Sequence, residues 1–204
     1  MSHAVAPPKK SWDSIPRFPR ASSRTDVPWT HLERHLTEER SYGLAMEPDY
    51  QRGHVWTAPQ RRAWVEHMLM GGETAREVIL VCEAYNGAPS GRYAVADGLQ
   101  RITTASLFMR GEVRIFPDAL RPEGYAVGDF AGRLSMSNTI VFSTVVAKTR
   151  ADELLLYLRI NAGGTAHPRA ELDRVRGLLR AGVAAGGALS LGADWVDFLA
   201  REAG

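Results

Sequence analysis

The sequence has very little cysteine, little lysine and no long apolar run. A single cysteine, Cys82, excludes a disulfide scaffold and a cysteine-rich zinc site. No run of about 18 apolar residues occurs, so we expect no membrane-spanning segment. The N-terminus also lacks the apolar region of a secretory signal. These absences predict a cytoplasmic protein without a membrane partner.

The charges are nearly balanced. The chain of 204 residues has 25 basic and 23 acidic residues, and this net charge of +2 does not indicate a strongly basic nucleic-acid binder. Only three of the 25 are lysines, so 22 are arginines. Codon use in a GC-rich genome explains such an excess, and we therefore interpret each arginine by its position. A hydrophobic content of 45% is typical of a globular domain.

The sequence divides into three segments. Residues 1–27 are basic and rich in proline, which predicts a flexible tail, and residues 181–204 predict a Gly/Ala-rich segment with a last helix after Asp194. Residues 28–180 predict an α+β domain with a small sheet, interleaved helices and a helical C-terminal part. The expected helices cover 29–40, 57–70, 99–109, 150–160 and 168–180, and the expected strands cover 77–84, 92–96, 113–116 and 139–146.

The most informative local pattern lies at residues 97–104, Asp-Gly-Leu-Gln-Arg-Ile-Thr-Thr. An apolar strand ends at Asp97 and Gly98, and a helix begins at once. The free N–H groups and the dipole at a helix start favour an anion such as phosphate. Gly98 permits a positive φ or a close approach of the backbone.

The side chains of this pattern suit the same chemistry. Arg101 can bind a phosphate through two N–H groups, Gln100 can orient a water or hydroxyl, and Thr103 and Thr104 add hydroxyls. The structural alternative is a capped turn with Asp97 as the N-cap and Arg101 in solvent. The pattern alone does not choose between the two.

A second pattern, Tyr-Gln-Arg-Gly-His-Val-Trp, covers residues 50–56. The polar Gln51 and Arg52 lie between two aromatic residues, just before a helix that begins with a capping box of Thr57 and Gln60. The aromatics could anchor a loop whose polar side chains enter a cleft. The residues alone favour an ordinary surface loop.

A third pattern, Arg-Ile-Asn-Ala-Gly-Gly-Thr, covers residues 159–165. Successive glycines can form a nest of N–H groups that binds an anion, although an ordinary glycine C-cap explains the pattern as well. In all three segments, glycine lies close to arginine at the boundary of an element. Several backbone segments that converge on a polyanion would have this pattern.

In order and spacing the three segments resemble the ParB-like N-terminal domain of GmrSD-type restriction endonucleases, which attack modified DNA. That family has Gln-Arg-x-x-Val-Trp, Asp-Gly-Gln-Gln-Arg-Leu-Thr-Thr and Arg-x-Asn-x-Gly-Gly-Thr boxes, and the likeness spans residues 30 to about 180. The resemblance implies a ParB/sulfiredoxin-like fold. It also implies a nucleoside triphosphate site with Mg²⁺, for which the base is unknown, at the helix that begins near Leu99.

The resemblance also implies roles for single residues. It assigns catalytic roles to Gln51, Asp97, Gln100 and Arg101. Asp97 would fix the loop or help to hold magnesium. No metal site formed by the protein alone is expected, and His31 with His35 lacks a third ligand. The nucleotide would be bound by Arg52, Gly98, Thr103, Thr104, Arg159, Asn161, Gly163, Gly164 and Thr165.

Two departures from the family bear on activity. Leu99 stands where the family has the first glutamine of the box, and leucine cannot hydrogen-bond a phosphate or a water. Hydrolysis is therefore expected to be weakened or lost. The chain also has no histidine after His167, so we expect the HNH nuclease half to be missing and the chain not to be a nuclease by itself.

Three functions stay open at this point. The first is a stand-alone nucleotide-binding domain, which either is a weak NTPase or does not hydrolyse the nucleotide. It would work with DNA or a separate effector protein in restriction, phage counter-defence or DNA modification. The second is a non-catalytic adaptor or DNA-binding module, which the change at Leu99 and the absent nuclease half favour. The third is a kinase on the same fold. The sequence leaves the oligomeric state open, including a homo-oligomer.

Overall fold

The computed structural model describes residues 19–51, 53, 55–162 and 169–184. This described part contains five α-helices and one mixed sheet of four strands. The strands are β1 (Ala21–Pro28), β2 (Glu77–Tyr85), β3 (Pro89–Asp97) and β4 (Thr139–Val146). The helices are α1 (Leu32–Ser41), α2 (Ala58–Leu69), α3 (Leu99–Met109), α4 (Arg150–Ala162) and α5 (Arg169–Ala184).

The strands follow the order β1-β4-β2-β3. β2 and β3 form an antiparallel hairpin, in which Ile79 pairs with Asp97. β4 then lies parallel to β2 on the other side, and β1 pairs antiparallel with the outer edge of β4. The carboxyl end of β3 therefore lies beside the start of β2, and α3 begins at this edge of the sheet.

Alternate residues of the strands face two different cores. On one face, Val78 and Leu80 of β2 pack with α1, α2 and α3 in a core that includes stacked Trp29 and Trp64, whose ring centroids are 5.3 Å apart. On the other face, Val81 packs with α4 through Leu156. This period of two places a helical layer on each side of the sheet.

Several predictions from the sequence are confirmed. The fold class is α+β, and α3 and β4 have the predicted bounds. α2 begins with the predicted capping box, because the Thr57 hydroxyl accepts a hydrogen bond from the Gln60 N–H and the Gln60 side chain accepts one from the Thr57 N–H. Thr149 and Asp152 make the same reciprocal pair at the start of α4.

Two expectations about strands were wrong. The predicted tail through residue 27 overlaps β1, whose side chains are mostly exposed, so the segment lacks the alternation that would reveal a strand. The predicted strand at 113–116 is a single bridge between Ile115 and Tyr125. Phe116 has a φ of +49°, outside the extended region, so the chain turns away there instead of joining the sheet.

No helix in the described ranges is long and apolar enough to span a membrane. The predicted helix after Asp194 lies outside the described residues, as do residues 1–18 of the predicted tail.

Candidate functional site

The start of α3 is built on glycine. Gly98 is the N-cap residue, with φ +98° and ψ 8° in the left-handed region. A Cβ at this position would lie 2.7 Å from Cγ2 of Val78 and 3.0 Å from its Cα. Glycine is therefore required both by the conformation and by the close contact with β2. No side chain caps α3, so the alternative in which Asp97 acts as the N-cap is wrong.

Arg101 is held at the edge of the sheet. Its Nη2 lies 3.0 Å from Oδ2 of Asp97, one helical turn earlier, and its guanidinium also donates a hydrogen bond to the backbone carbonyl of Glu77. The side chain is only 21% exposed, so the alternative that leaves Arg101 in solvent is also wrong. A cation is thus fixed beside the uncapped helix start.

Gln100 binds the backbone of the Gln51–Trp56 segment. Its Oε1 accepts hydrogen bonds from the N–H groups of Val55 and Trp56, both at 3.1 Å. Its Nε2 donates to the carbonyl of Gly53 at 3.2 Å. Both ends of the amide are used, so Gln100 positions the loop. The first and second sequence patterns therefore lie side by side.

Two aromatic residues anchor this loop, although the residues alone favoured an ordinary surface loop. Tyr50 is fully buried and packs edge-to-face on Tyr157 of α4, with ring centroids 4.9 Å apart. The guanidinium of Arg150 lies 4.7 Å from the centre of the Tyr50 ring. At the other end of the loop, the Trp56 ring lies 6.0 Å from Trp64 of α2. The loop is thus attached to both helical layers.

Charged residues of α4 and α5 reinforce this anchor. Glu153 is 3% exposed, and its carboxylate lies 2.9 Å from Nη1 of Arg150 and 3.5 Å from Nε of Arg92. Burial and the neighbouring Glu153 carboxylate raise the pKa of Tyr50. Arg174 donates to the carbonyls of Asp49 and Tyr50, at 2.9 and 2.8 Å.

Sequence reasoning missed Arg150, Glu153 and Arg174. Their partners in the loop lie about a hundred or more residues away, at separations of 101 for Arg150 and 124 for Arg174. For Arg150 and Glu153 the local signal was a charged first turn of a helix, which is typical of any capped helix. Nothing in that local pattern could have connected these residues to the loop.

The third pattern begins on the face of the sheet that α4 covers. Ile160 of α4 packs in a cluster with Ala96 and Ile79, and Ile79 pairs with Asp97. Asn161 is buried, and its Nδ2 donates to the carbonyl of Tyr157 at 2.8 Å within the helix. Arg159 is half-buried and has interaction partners of its own.

The remaining predicted residues differ in their placement. Thr104 is 1% exposed and Leu99 is 2% exposed, so both face the interior, whereas Thr103 is half-buried. Gln51 is half-buried, and its N–H donates to the carbonyl of Pro48 at 2.9 Å. Four predicted residues lie outside the described residues: Arg52, Gly163, Gly164 and Thr165.

In the part of the chain that the structure describes, no group of three or more histidine, cysteine or carboxylate side chains is arranged to hold a metal. His35 lies 3.5 Å from the Glu39 carboxylate, and its ring centroid is 4.7 Å from that of Phe142. Burial lowers the pKa of His35.

One large groove among the described residues lies apart from these patterns. A groove of about 710 Å³ lies at the far end of α3 and is lined mainly by apolar side chains such as Phe108, Phe116, Phe130 and Met136. None of the residues that we assigned to a nucleotide site lines it. The candidate site lies where the first and second patterns meet, because a phosphate site needs N–H groups and cations rather than an apolar groove.

One protein-family comparison matches the chain. The family is described as the N-terminal domain of the GmrSD restriction endonuclease, and its model matches residues 33–173, which is more than half of the chain. The match runs from the second residue of α1 to the first turn of α5 and therefore includes all three patterns. No curated protein and no solved structure matches.

Proposed function

Since the chain belongs to the family of GmrSD restriction endonuclease N-terminal domains, we propose that it binds a Mg²⁺–nucleoside triphosphate at the start of α3. In this proposal the domain serves the restriction of modified DNA, together with DNA and a separate effector protein. The observation that carries the proposal is the uncapped, glycine-opened start of α3 with the Arg101 guanidinium fixed beside it.

The electrostatics of the edge support an anionic ligand. The first N–H groups of α3 and its dipole give a positive field at Gly98, where none of the described side chains caps the helix. Arg101 adds a guanidinium whose charge Asp97 balances in part, and Arg52 is the second arginine that the sequence assigns to the phosphates. Asp97 holds Arg101 in place through the 3.0 Å contact, so little side-chain entropy is lost when a phosphate binds.

The side chains present are compatible with magnesium that arrives with the nucleotide. Mg²⁺ usually takes one or two carboxylates together with phosphate oxygens and water. Asp97 is a carboxylate at this edge and is partly exposed, so it could share the ion with the phosphates. When bound, the ion would neutralise charge on the bridging oxygens.

A specific observation favours binding without efficient hydrolysis. Gln100 was the candidate for orienting water, but its amide is bonded at both ends to the Gly53–Trp56 backbone. Leu99 faces the core. The second candidate function is therefore a non-hydrolytic adaptor or DNA-binding module, built around the loop that Gln100 holds.

Thermal unfolding tests the proposal. The protein is heated with ATP, GTP, CTP or UTP and Mg²⁺, beside Arg101→Ala and the control Arg110→Ala. Arg110 follows the other end of α3 and also pairs with carboxylates, Glu33 and Glu112. A ligand at 100 times its dissociation constant adds about 2.7 kcal/mol.

We expect one nucleotide to stabilise the wild type and Arg110→Ala but not Arg101→Ala. Equal stabilisation of both variants would place the nucleotide elsewhere, and no stabilisation of any protein would leave the adaptor function. Phosphate release with and without DNA then separates an NTPase from a binding module. Consumption of nucleotide only with an added acceptor would identify the kinase.

A further inference from the structure

The outer edge of β1 is unpaired in the described part of the chain. β1 is the first strand of the sheet order and pairs on one side only, with β4. α1 starts beside β1, where His31, Arg34, His35 and Glu38 line a cavity of about 170 Å³ with residues 25–28, and then crosses the sheet away from this edge. His35 of α1 lies against Phe142 of β4, and Glu39, one turn later, accepts a hydrogen bond from Tyr93 of β3.

The exposed side chains of β1 have opposite charges on one face. Val27 is buried in the core under α1, so the period of two places Thr25 on the same face and Arg24 and Asp26 on the other. Arg24 and Asp26 are both exposed. Neither makes an ion pair with any of the residues that the structure describes.

From this pattern we infer that β1 pairs antiparallel with β1 of a second copy, about a two-fold axis at Thr25. Two sheets would then join into one continuous sheet. Each Arg24 lies directly opposite Asp26 of the second copy, on the same face of the joined sheet. Opposite charges in directly facing positions stabilise an antiparallel pair, and like charges there destabilise it.

The charges also select the register. A two-fold axis perpendicular to the sheet leaves each side chain on its own face of the sheet. Two residues that face each other across the axis must therefore both be odd-numbered or both be even-numbered. The axis then lies between the two copies of one residue, which faces itself. An axis at Arg24 would place Arg24 opposite itself, and an axis at Asp26 would place Asp26 opposite itself. Of these three adjacent registers, only the one centred on Thr25 pairs opposite charges.

The paired segment has defined ends. A bulge interrupts the register between Ala21 and Ser23, and Pro28 has no N–H to donate. Residues 23–27 are therefore the window for pairing. Such features shorten an edge and limit uncontrolled aggregation. A window of this size forms a small interface, so we expect an association of about micromolar strength that depends on the charge pairs.

Charge reversal tests this interface in the full chain, by sedimentation velocity over a range of protein concentrations without nucleotide. Arg24→Asp places aspartates opposite each other, and Asp26→Arg places arginines opposite each other. We expect each variant to raise the dimer dissociation constant at least about tenfold. An equimolar mixture of the two variants restores opposite charges at both positions and should associate as the wild type does. The double variant should also dimerise.

The control is Arg40→Asp, an exposed arginine in the last turn of α1, which should leave the association unchanged. Variants that associate when they are mixed must be folded. A folding defect therefore cannot explain why each variant alone fails to associate. A wild type that stays monomeric throughout overturns the inference, and so does a dimer that is insensitive to reversal or a mixture that does not associate. The outcome is independent of nucleotide binding.

Discussion

The side-chain oxygen of Gln100 lies 3.1 Å from the backbone nitrogen of Trp56, a residue 44 positions earlier in the chain. This contact joins the loop after Tyr50 to the first turn of α3. Because Tyr50 is buried against α4 at the other end of the loop, the same short segment connects both helical layers. A ligand at the start of α3 would therefore contact a loop whose position depends on both.

Replacement of Gln100 by alanine should release this loop. Three hydrogen bonds are lost, and at roughly 0.5–1.5 kcal/mol each, with the site partly exposed, we expect the free energy of unfolding to fall by about 1–2 kcal/mol. Amide hydrogen exchange at Val55 and Trp56 should also become faster. The increase should be larger than the fall in the free energy of unfolding alone would produce. Thr103→Ala, on the same helix, is the control, and unchanged exchange at both amides would contradict the assigned contacts.

Replacement of Gly98 by alanine should cost more than the same change at Gly43. Both glycines have positive φ angles, +98° and +89°, so each substitution introduces about 1–2 kcal/mol of backbone strain. Only Gly98 faces a neighbour within 4 Å, namely Val78. We expect Gly98→Ala to be the more destabilising by roughly 1–3 kcal/mol in denaturant unfolding. Equal losses of unfolding free energy in the two variants would mean that Val78 moves aside from the new methyl group without cost.

Local chemistry made much of the fold predictable. α3 follows directly from a strand that ends at Asp-Gly, and α2 follows a Thr-x-x-Gln box, because turns and caps depend on neighbouring residues. β1 was not predictable in this way. Its only buried hydrophobic residue is Val27, and it is held in place by β4, more than a hundred residues later. Pairing partners at such a distance leave no periodicity in the strand itself.

The sequence predicted which segments belong to the candidate site, but not which contacts their side chains make. The glycine at position 98 followed from its place between a strand and a helix. That Gln100 binds a loop rather than water, and that Asn161 bonds within α4, depends on which neighbours the tertiary fold supplies. The anchor of Glu153, Arg150 and Tyr50 was missed for the same reason.

Acidification should weaken the protein through His35. Burial lowers the pKa of this histidine in the folded state below its ordinary value of about 6.5. The unfolded chain therefore binds the proton more readily, and the stability contribution, present above about pH 6.5, is lost as the pH falls through the folded pKa.

A His35→Gln variant isolates this effect. The melting temperature of the wild type relative to the variant should fall between about pH 7.5 and pH 5.5, a range that stays above the ordinary carboxylate pKa values. His31→Gln, which removes an exposed histidine one turn earlier, is the matched control at each pH. A wild-type advantage that does not change with pH would mean that His35 titrates normally.

Restoration of the family's glutamine at position 99 should not restore hydrolysis. Leu99 is 2% exposed and belongs to the core with Ile102 and Phe108, so a glutamine there would bury an amide without a designed partner. We expect Leu99→Gln to lower the free energy of unfolding by about 1–3 kcal/mol, whereas Leu99→Met should cost less than about 1.5 kcal/mol. Phosphate release from each nucleotide should stay at the wild-type level in both variants. A stable Leu99→Gln protein that gains hydrolysis would show instead that this side chain reaches the nucleotide, and the change to leucine would then explain a loss of activity.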